Sequence, residues 1–167
     1  MAQGYMHTYG RSSADLAEIA VALRSNAVPR PDAYMCGRPI TVEDHQNSRF
    51  IVRPLHLFDY CLVTDGAIAF IVTTADRARD LQTTPVHILG LGTTHEVGQG
   101  YTRGSNTLLG PSDLNVDAAR ERAFGTARLS IDDIDVFQFY DAFTIMAALQ
   151  IEAYGLCGPG EAADWVR

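Results

Sequence analysis

Residues 135–150 read DVFQFYDAFTIMAALQ, and the fold turns on how that stretch is parsed. A run rich in β-branched and aromatic residues ends at Phe139 and passes directly into a nearly all-apolar segment. The pattern predicts a strand over 134–139 and a helix over 142–154, with Tyr140 and Asp141 at the seam. A helix apolar on almost every side must be covered all round. A strand feeding a buried helix is the repeating unit of layered α/β folds, so that class is expected for the whole chain.

The flanking sequence repeats this alternation. Residues 12–28 place Leu16, Ile19, Ala20 and Leu23 at one-face helical spacing, with Ser12 or Ser13 as N-cap and Asp15 in the first turn. Three prolines and a glycine over 28–39 predict a loop, after which Thr41 caps a short helix and Pro54 ends it. Asp65-Gly66 between two β-rich runs reads as a hairpin turn, with a strand over 67–73 and a short helix capped by Thr74 and running through Asp80. A further strand over 86–91 carries Gly90 near its end, with Gly92 just beyond, which implies close backbone approach or a bend. The glycine-rich stretch 93–113 is a loop of a length that usually serves a site or moves. Beyond it, Val116, Ala119, Ala123, Phe124 and Ala127 share one helical face.

Composition narrows the function. The 167 residues are 47% hydrophobic and 20% charged, as in one soluble globular domain or a piece of a larger one. A net charge of −7 with scattered arginines makes nucleic acid a poor partner. The N-terminus shows no basic flank before an apolar run and no stretch is long enough to span a membrane, so a cytoplasmic location is expected. All 13 basic residues are Arg, which excludes Schiff-base chemistry on a Lys of this chain and a phosphate-loop Lys. Cys36, Cys61 and Cys157 are widely spaced, giving neither a disulfide framework nor a zinc site.

Two tempting motifs fail. Gly90 and Gly92 follow a strand, but the third position of a dinucleotide fingerprint falls on His95 and no helix begins there. His95-Glu96 lacks the second histidine of a zinc helix, and no metal is expected. Tyr140 and Asp141 are better placed, because the C-terminal ends of strands in α/β sheets line ligand crevices. The pair also has a structural reading, in which Asp141 caps the following helix and Tyr140 packs with its hydroxyl satisfied. Spacing alone leaves both open.

At these residues the chain resembles a known family. DIDVFQFYDAFT is similar to the strand-to-helix motif of the thiolase superfamily, in the Tyr-Asp-Ala-Phe form of its sterol-carrier or lipid-transfer branch. YMHTYGRSSADLAEIAVALRSNA, RPITVEDHQNSRFIVRPLHLFDYCLVTDGAIAFIVTTADRARDL and YGLCGPGE resemble that branch in the same order. The resemblance implies a partial thiolase-like layered fold with mixed sheets packed on helices. Residues 1–84 correspond to the end of its N-terminal half and 85–167 to the start of its C-terminal half, truncated.

The family's nucleophilic cysteine lies upstream of this segment, and its Gly-His-Pro and Cys-Gly motifs lie downstream. None of the three cysteines here matches a family catalytic cysteine. What carries over is one position, where thiolases hold an Asn that helps keep a water in the oxyanion hole, and Tyr140 stands there. Its phenol can donate to a developing oxyanion or exchange a proton, with Asp141 in support.

Relatives with this variant resemble retro-aldolases that shorten steroid or aromatic acyl-CoA side chains. The implied activity is carbon–carbon cleavage or formation on an acyl-CoA, with the coenzyme A thioester as substrate and no covalently bound cofactor. The implied assembly is a homodimer, or a hetero-oligomer with an accessory protein containing an OB-fold and zinc ribbon. The rival expectation is a catalytically incomplete module that binds acyl-CoA or a partner, or has its missing parts supplied by a second polypeptide.

Overall fold

The computed structural model describes residues 1–94 and 116–167. Helix α6, Thr144–Ala153, is its centre, and eight of its ten residues are buried. That meets the requirement set by a helix apolar all round. Its Ile145, Ala147, Ala148, Leu149 and Ile151 form one core with Leu16 and Ile19 of α2 (Ser13–Ala27), Ala2 and Tyr5 of α1 (Ala2–Tyr9) and Ala162 of α7 (Ala162–Trp165). The small residues of α6 let these helices approach closely, while Leu16, Ile19 and Leu149 fill the space between.

Local chemistry fixes the helix starts. Ser12 and Asp15 form a capping box at α2, and Thr41 with Asp44 does the same for α3 (Val42–Asn47). Thr74 caps α4 (Ala75–Arg79), its hydroxyl accepting from Arg77 N–H at 3.5 Å. These three starts agree with the sequence reading. The helices α1 and α7 were not expected from periodicity, because each draws its burial from Tyr5, Ala162 and Ala163 against α6 rather than from a long apolar stripe.

The sheet content differs from expectation. Among the described residues the named strands are β1 (Phe50–Val52) and β2 (Leu55–His56), an antiparallel pair, and one isolated bridge joins Tyr60 to Phe143. The predicted strands over 67–73, 86–91 and 134–139 are not assigned as strands, and no hairpin forms around Asp65-Gly66. A strand exists through its ladder, and among the described residues these runs have no ladder partner. Their sequence character survives in the exposure pattern. Val136, Gln138 and Tyr140 are exposed while Phe137 and Phe139 are half-buried, a period of two. Ile68, Ile71 and Val86 are each at least 90% exposed.

Helix α5 (Asp117–Ala127) keeps the predicted face. Gly90 and Gly92 lie directly against its backbone: a Cβ on Gly90 would stand 2.0 Å from Ala123 O and one on Gly92 1.8 Å from Ala119 O. Close backbone approach was the reading of these glycines from sequence. The stretch 93–113 and the pair His95-Glu96 fall almost wholly or wholly outside the described residues.

Candidate active site

The seam is a short extended segment bent into α6, held at several points. The N–H of Cys61 donates to Ala142 O at 3.1 Å, beside the bridge between Tyr60 and Phe143, whose rings meet edge-on at 5.0 Å. On the other side, the side-chain amide of Gln150 accepts from Tyr140 N–H at 3.2 Å and donates to Tyr140 O at 2.6 Å. Tyr140 is thus anchored by its backbone while the residue as a whole stands 67% exposed. The phenol is not packed away in hydrocarbon, as a purely structural tyrosine would be.

Asp141 faces differently, as adjacent residues of an extended chain do. It lines a cavity of about 320 Å³ together with Arg24, Phe58, Asp59, Cys61 and Thr144, and Tyr140 is not among its walls. The capping role expected of Asp141 is not found. Helix α6 begins after Phe143 as N-cap and has no side-chain cap there. Ala142 and Phe143 stand between Asp141 and the first helical residue, Thr144. Arg24, which donates to Arg38 O at 2.8 Å, has its guanidinium pKa held below the usual value by burial and by the nearby Arg38 charge.

A buried polar set lies behind the seam, and sequence reasoning missed it. Asp59 Oδ1 accepts from Thr144 Oγ1 at 2.5 Å, and its Oδ2 accepts from His56 N–H at 2.6 Å. His45 Nε2 lies 3.0 Å from Asp59 Oδ1, off the line of a well-formed hydrogen bond, so this is a close polar contact. Its Nδ1 stands 3.1 Å from Gln46 Nε2, which can only donate, so Nδ1 accepts and the ring hydrogen belongs on Nε2, toward Asp59. His45, Asp59 and Thr144 are each no more than 3% exposed. The available signal was modest: a Thr directly after YDAF and an Asp in PLHLFDY, each polar inside an apolar run.

A second buried pair sits at the far end of α6. The Tyr5 hydroxyl donates to Glu152 Oε1, which also accepts from Ala162 N–H at 3.3 Å. Burial, then the hydrogen bond to Glu152, raises the Tyr5 pKa well above its ordinary value. Burial, then the charge of Glu152, pushes the Cys157 thiol up to about 11. A thiol so poised is a poor nucleophile at neutral pH, and Cys157 does not sit at the seam. Cys36 and Cys61 are exposed, and Cys61 lies beside the cavity. Among the described residues no group of three or more His, Cys, Asp or Glu is placed to hold a metal, and no helix is long and apolar enough to cross a membrane.

Residues 106–167 match the family described as thiolase C-terminal domain-like. Over 99% of its length the chain is 39% identical to 17-hydroxy-3-oxo-4-pregnene-20-carboxyl-CoA lyase of Mycobacterium tuberculosis, covering 43% of that protein. It is 38% identical to the steroid side-chain-cleaving aldolase of Thermomonospora curvata, again over 99% of this chain and 42% of the relative. The solved Ltp2-ChsH2(DUF35) aldolase superposes on 99% of this chain and 43% of its own, with a TM-score of 0.84 at 38% identity. The chain therefore spans about two fifths of the length of these relatives. With motif order, helix packing and these similarities in agreement, the chain carries a stretch of the thiolase-like fold, and its residues 106–167 match the thiolase C-terminal domain-like family.

Proposed function

We propose that this protein handles acyl-CoA and makes or breaks a carbon–carbon bond adjacent to the thioester, by retro-aldol or thiolytic chemistry, on a lipid or steroid side chain. Tyr140 is the proposed acid/base or oxyanion donor, and Asp141 lends support from the cavity side. The observation that carries the reading is a solvent-reachable phenol at the end of the seam segment, pinned by both of its backbone hydrogen-bonding groups.

In the retro-aldol form, the β-hydroxyl proton leaves, the carbon–oxygen bond becomes a ketone, and the bond to the α-carbon breaks. Its electron pair passes into the thioester enolate, which is then protonated on carbon. A phenol hydrogen bond to that enolate oxygen strengthens as negative charge builds, which is where stabilisation accelerates the reaction. No Lys and no cysteine nucleophile is needed.

The similarity to two steroid side-chain enzymes supports a steroid-type acyl group. The partner named in the related aldolase structure supports a hetero-oligomer with a DUF35 protein. The same reading divides the chain at 84/85 into the end of one half and the start of the other, and the match of 106–167 to a C-terminal-domain family supports the assignment of its later part.

The test is turnover of 17-hydroxy-3-oxo-4-pregnene-20-carboxyl-CoA by the assembled protein, followed as ketone and shortened acyl-CoA. Loss of a positioned acid/base or oxyanion donor lowers kcat by roughly 10²-fold or more, so Tyr140→Phe should fall by that order. Full turnover by Tyr140→Phe removes the role assigned to the phenol.

A second reading, that of a binding or assembly module without turnover, is favoured by the exposed apolar runs around Ile68, Ile71 and Val86. Binding of the same acyl-CoA with no product from the assembled protein would select it.

A further inference from the structure

We propose that Gln150 is a positioning residue for Tyr140, holding the phenol's backbone as a neighbouring β-strand otherwise would. This rests on the reading of Tyr140 given above.

The geometry is specific. Gln150 sits on α6, ten residues after Tyr140, and its side-chain amide faces the Tyr140 peptide with donor against acceptor and acceptor against donor, at 2.6 and 3.2 Å. Its second amide hydrogen goes to Met146 O at 2.8 Å. Both atoms facing the amide nitrogen are carbonyl oxygens, so a flipped amide would set oxygen against oxygen and only one orientation is stable. The three contacts hold Gln150 in one orientation.

Residues 136–140 have the alternating exposure of a strand yet no ladder partner among the described residues. A primary amide is the side chain able to imitate a peptide group on both counts. The rotamers open to the Tyr140 ring depend on its own backbone angles, so whatever fixes that backbone narrows where the phenol can point. A misplacement of about 1 Å at a reacting group costs on the order of 10²-fold in rate. Loosening one of several anchors, with the contacts at Cys61 and Ala142 retained, should cost part of that.

Two measurements on the full chain in its assembly decide the matter. In protein labelled with 3-fluorotyrosine, the Tyr140 resonance is assigned among the seven tyrosines by its absence in Tyr140→Phe. Gln150→Leu should shift or broaden that resonance and leave the other six in place. With 17-hydroxy-3-oxo-4-pregnene-20-carboxyl-CoA, Gln150→Leu should lower kcat about tenfold with KM within twofold, and should cost nothing further in the Tyr140→Phe background.

An unchanged Tyr140 resonance, or an equal loss of turnover in both backgrounds, overturns the proposal. If Gln150→Leu does not fold, Gln150→Met provides the same readouts with a flexible chain of similar length. Full turnover by Tyr140→Phe would instead defeat the functional reading, while the fluorine spectrum still reports whether Gln150 holds the tyrosine.

Discussion

Thr144, the first residue of α6, donates its hydroxyl hydrogen to Asp59 across 85 positions of sequence, at 2.5 Å and out of contact with water. This bond ties the helix behind the seam to the 3-10 turn that ends at Asp59. Thr144→Val keeps the shape and deletes the donor, leaving one carboxylate oxygen with the His45 contact alone. Hydrogen bonds to charged groups contribute about 1.5–3 kcal/mol, so urea unfolding should show a loss of about 2 kcal/mol. A change below about 0.5 kcal/mol, the scale of ordinary surface substitutions, would mean that Asp59 is satisfied without the hydroxyl.

The glycines of 90–92 offer a test in which two substitutions of the same kind have opposite signs. A methyl on Gly92 would meet Ala119 O at 1.8 Å, and backbone cannot swing aside as a side chain can. Forcing α5 away should cost about 1–3 kcal/mol, and Gly92→Ala should lower the unfolding midpoint. Gly125, inside α5, has open space at its Cβ position and an ordinary φ. Gly125→Ala should therefore stabilise by about 0.5–1 kcal/mol. The two variants moving the midpoint in the same direction would contradict this packing.

Much of this was readable from the chain. Capping residues Ser12, Thr41 and Thr74, the buried helix after YDAF and the close approach at Gly90 and Gly92 all follow from local chemistry, which residues carry with them. The Asp59, His45 and Thr144 set was not readable, because its members lie far apart in sequence and meet through the packing of α3, the 3-10 turn and α6. The strands over 67–73, 86–91 and 134–139 have β-type sequence but lack ladders among the described residues. Propensity reports how a residue suits a pleated surface, whereas a strand also needs a neighbour. The capping role given to Asp141 failed for a related reason. Sequence marks a helix start only to within a few residues, and α6 begins at Thr144, with Phe143 and not Asp141 at its N-cap.

The three thiols should divide by environment. Cys36 and Cys61 are exposed, whereas burial and the Glu152 charge push Cys157 up to about 11. The thiolate is the reactive species, so a disulfide reagent at pH 8 should titrate two thiols quickly and the third at least tenfold more slowly. The slow rate should climb as the pH is raised toward 11, and Cys157→Ala should abolish it. The sign for stability follows as well. A thiol whose pKa is raised by folding contributes stability that is intact below the unfolded value near 8.5 and is lost as pH rises through about 11. Cys157→Ala should therefore flatten the fall in unfolding midpoint over that alkaline window. Three thiols reacting at one rate would show that the burial around Cys157 does not persist in solution.

The exposed apolar runs set a surface property apart from a stability property. Ile68, Ile71 and Val86 are almost fully exposed, so replacing them removes no packing, yet contiguous apolar surface drives association and dye binding. The chain by itself should bind a hydrophobic dye strongly and sediment with an apparent mass that rises with concentration. The triple substitution Ile68→Lys, Ile71→Lys and Val86→Lys should reduce both effects. Its unfolding midpoint should stay within the range of surface substitutions, about 0.5 kcal/mol. If these side chains belong to strands completed by the rest of a thiolase-like assembly, the same three changes should also prevent recovery of turnover when the assembly is reconstituted. A protein with the three lysines that assembles and turns over normally would show that these runs remain solvent-facing in the working molecule.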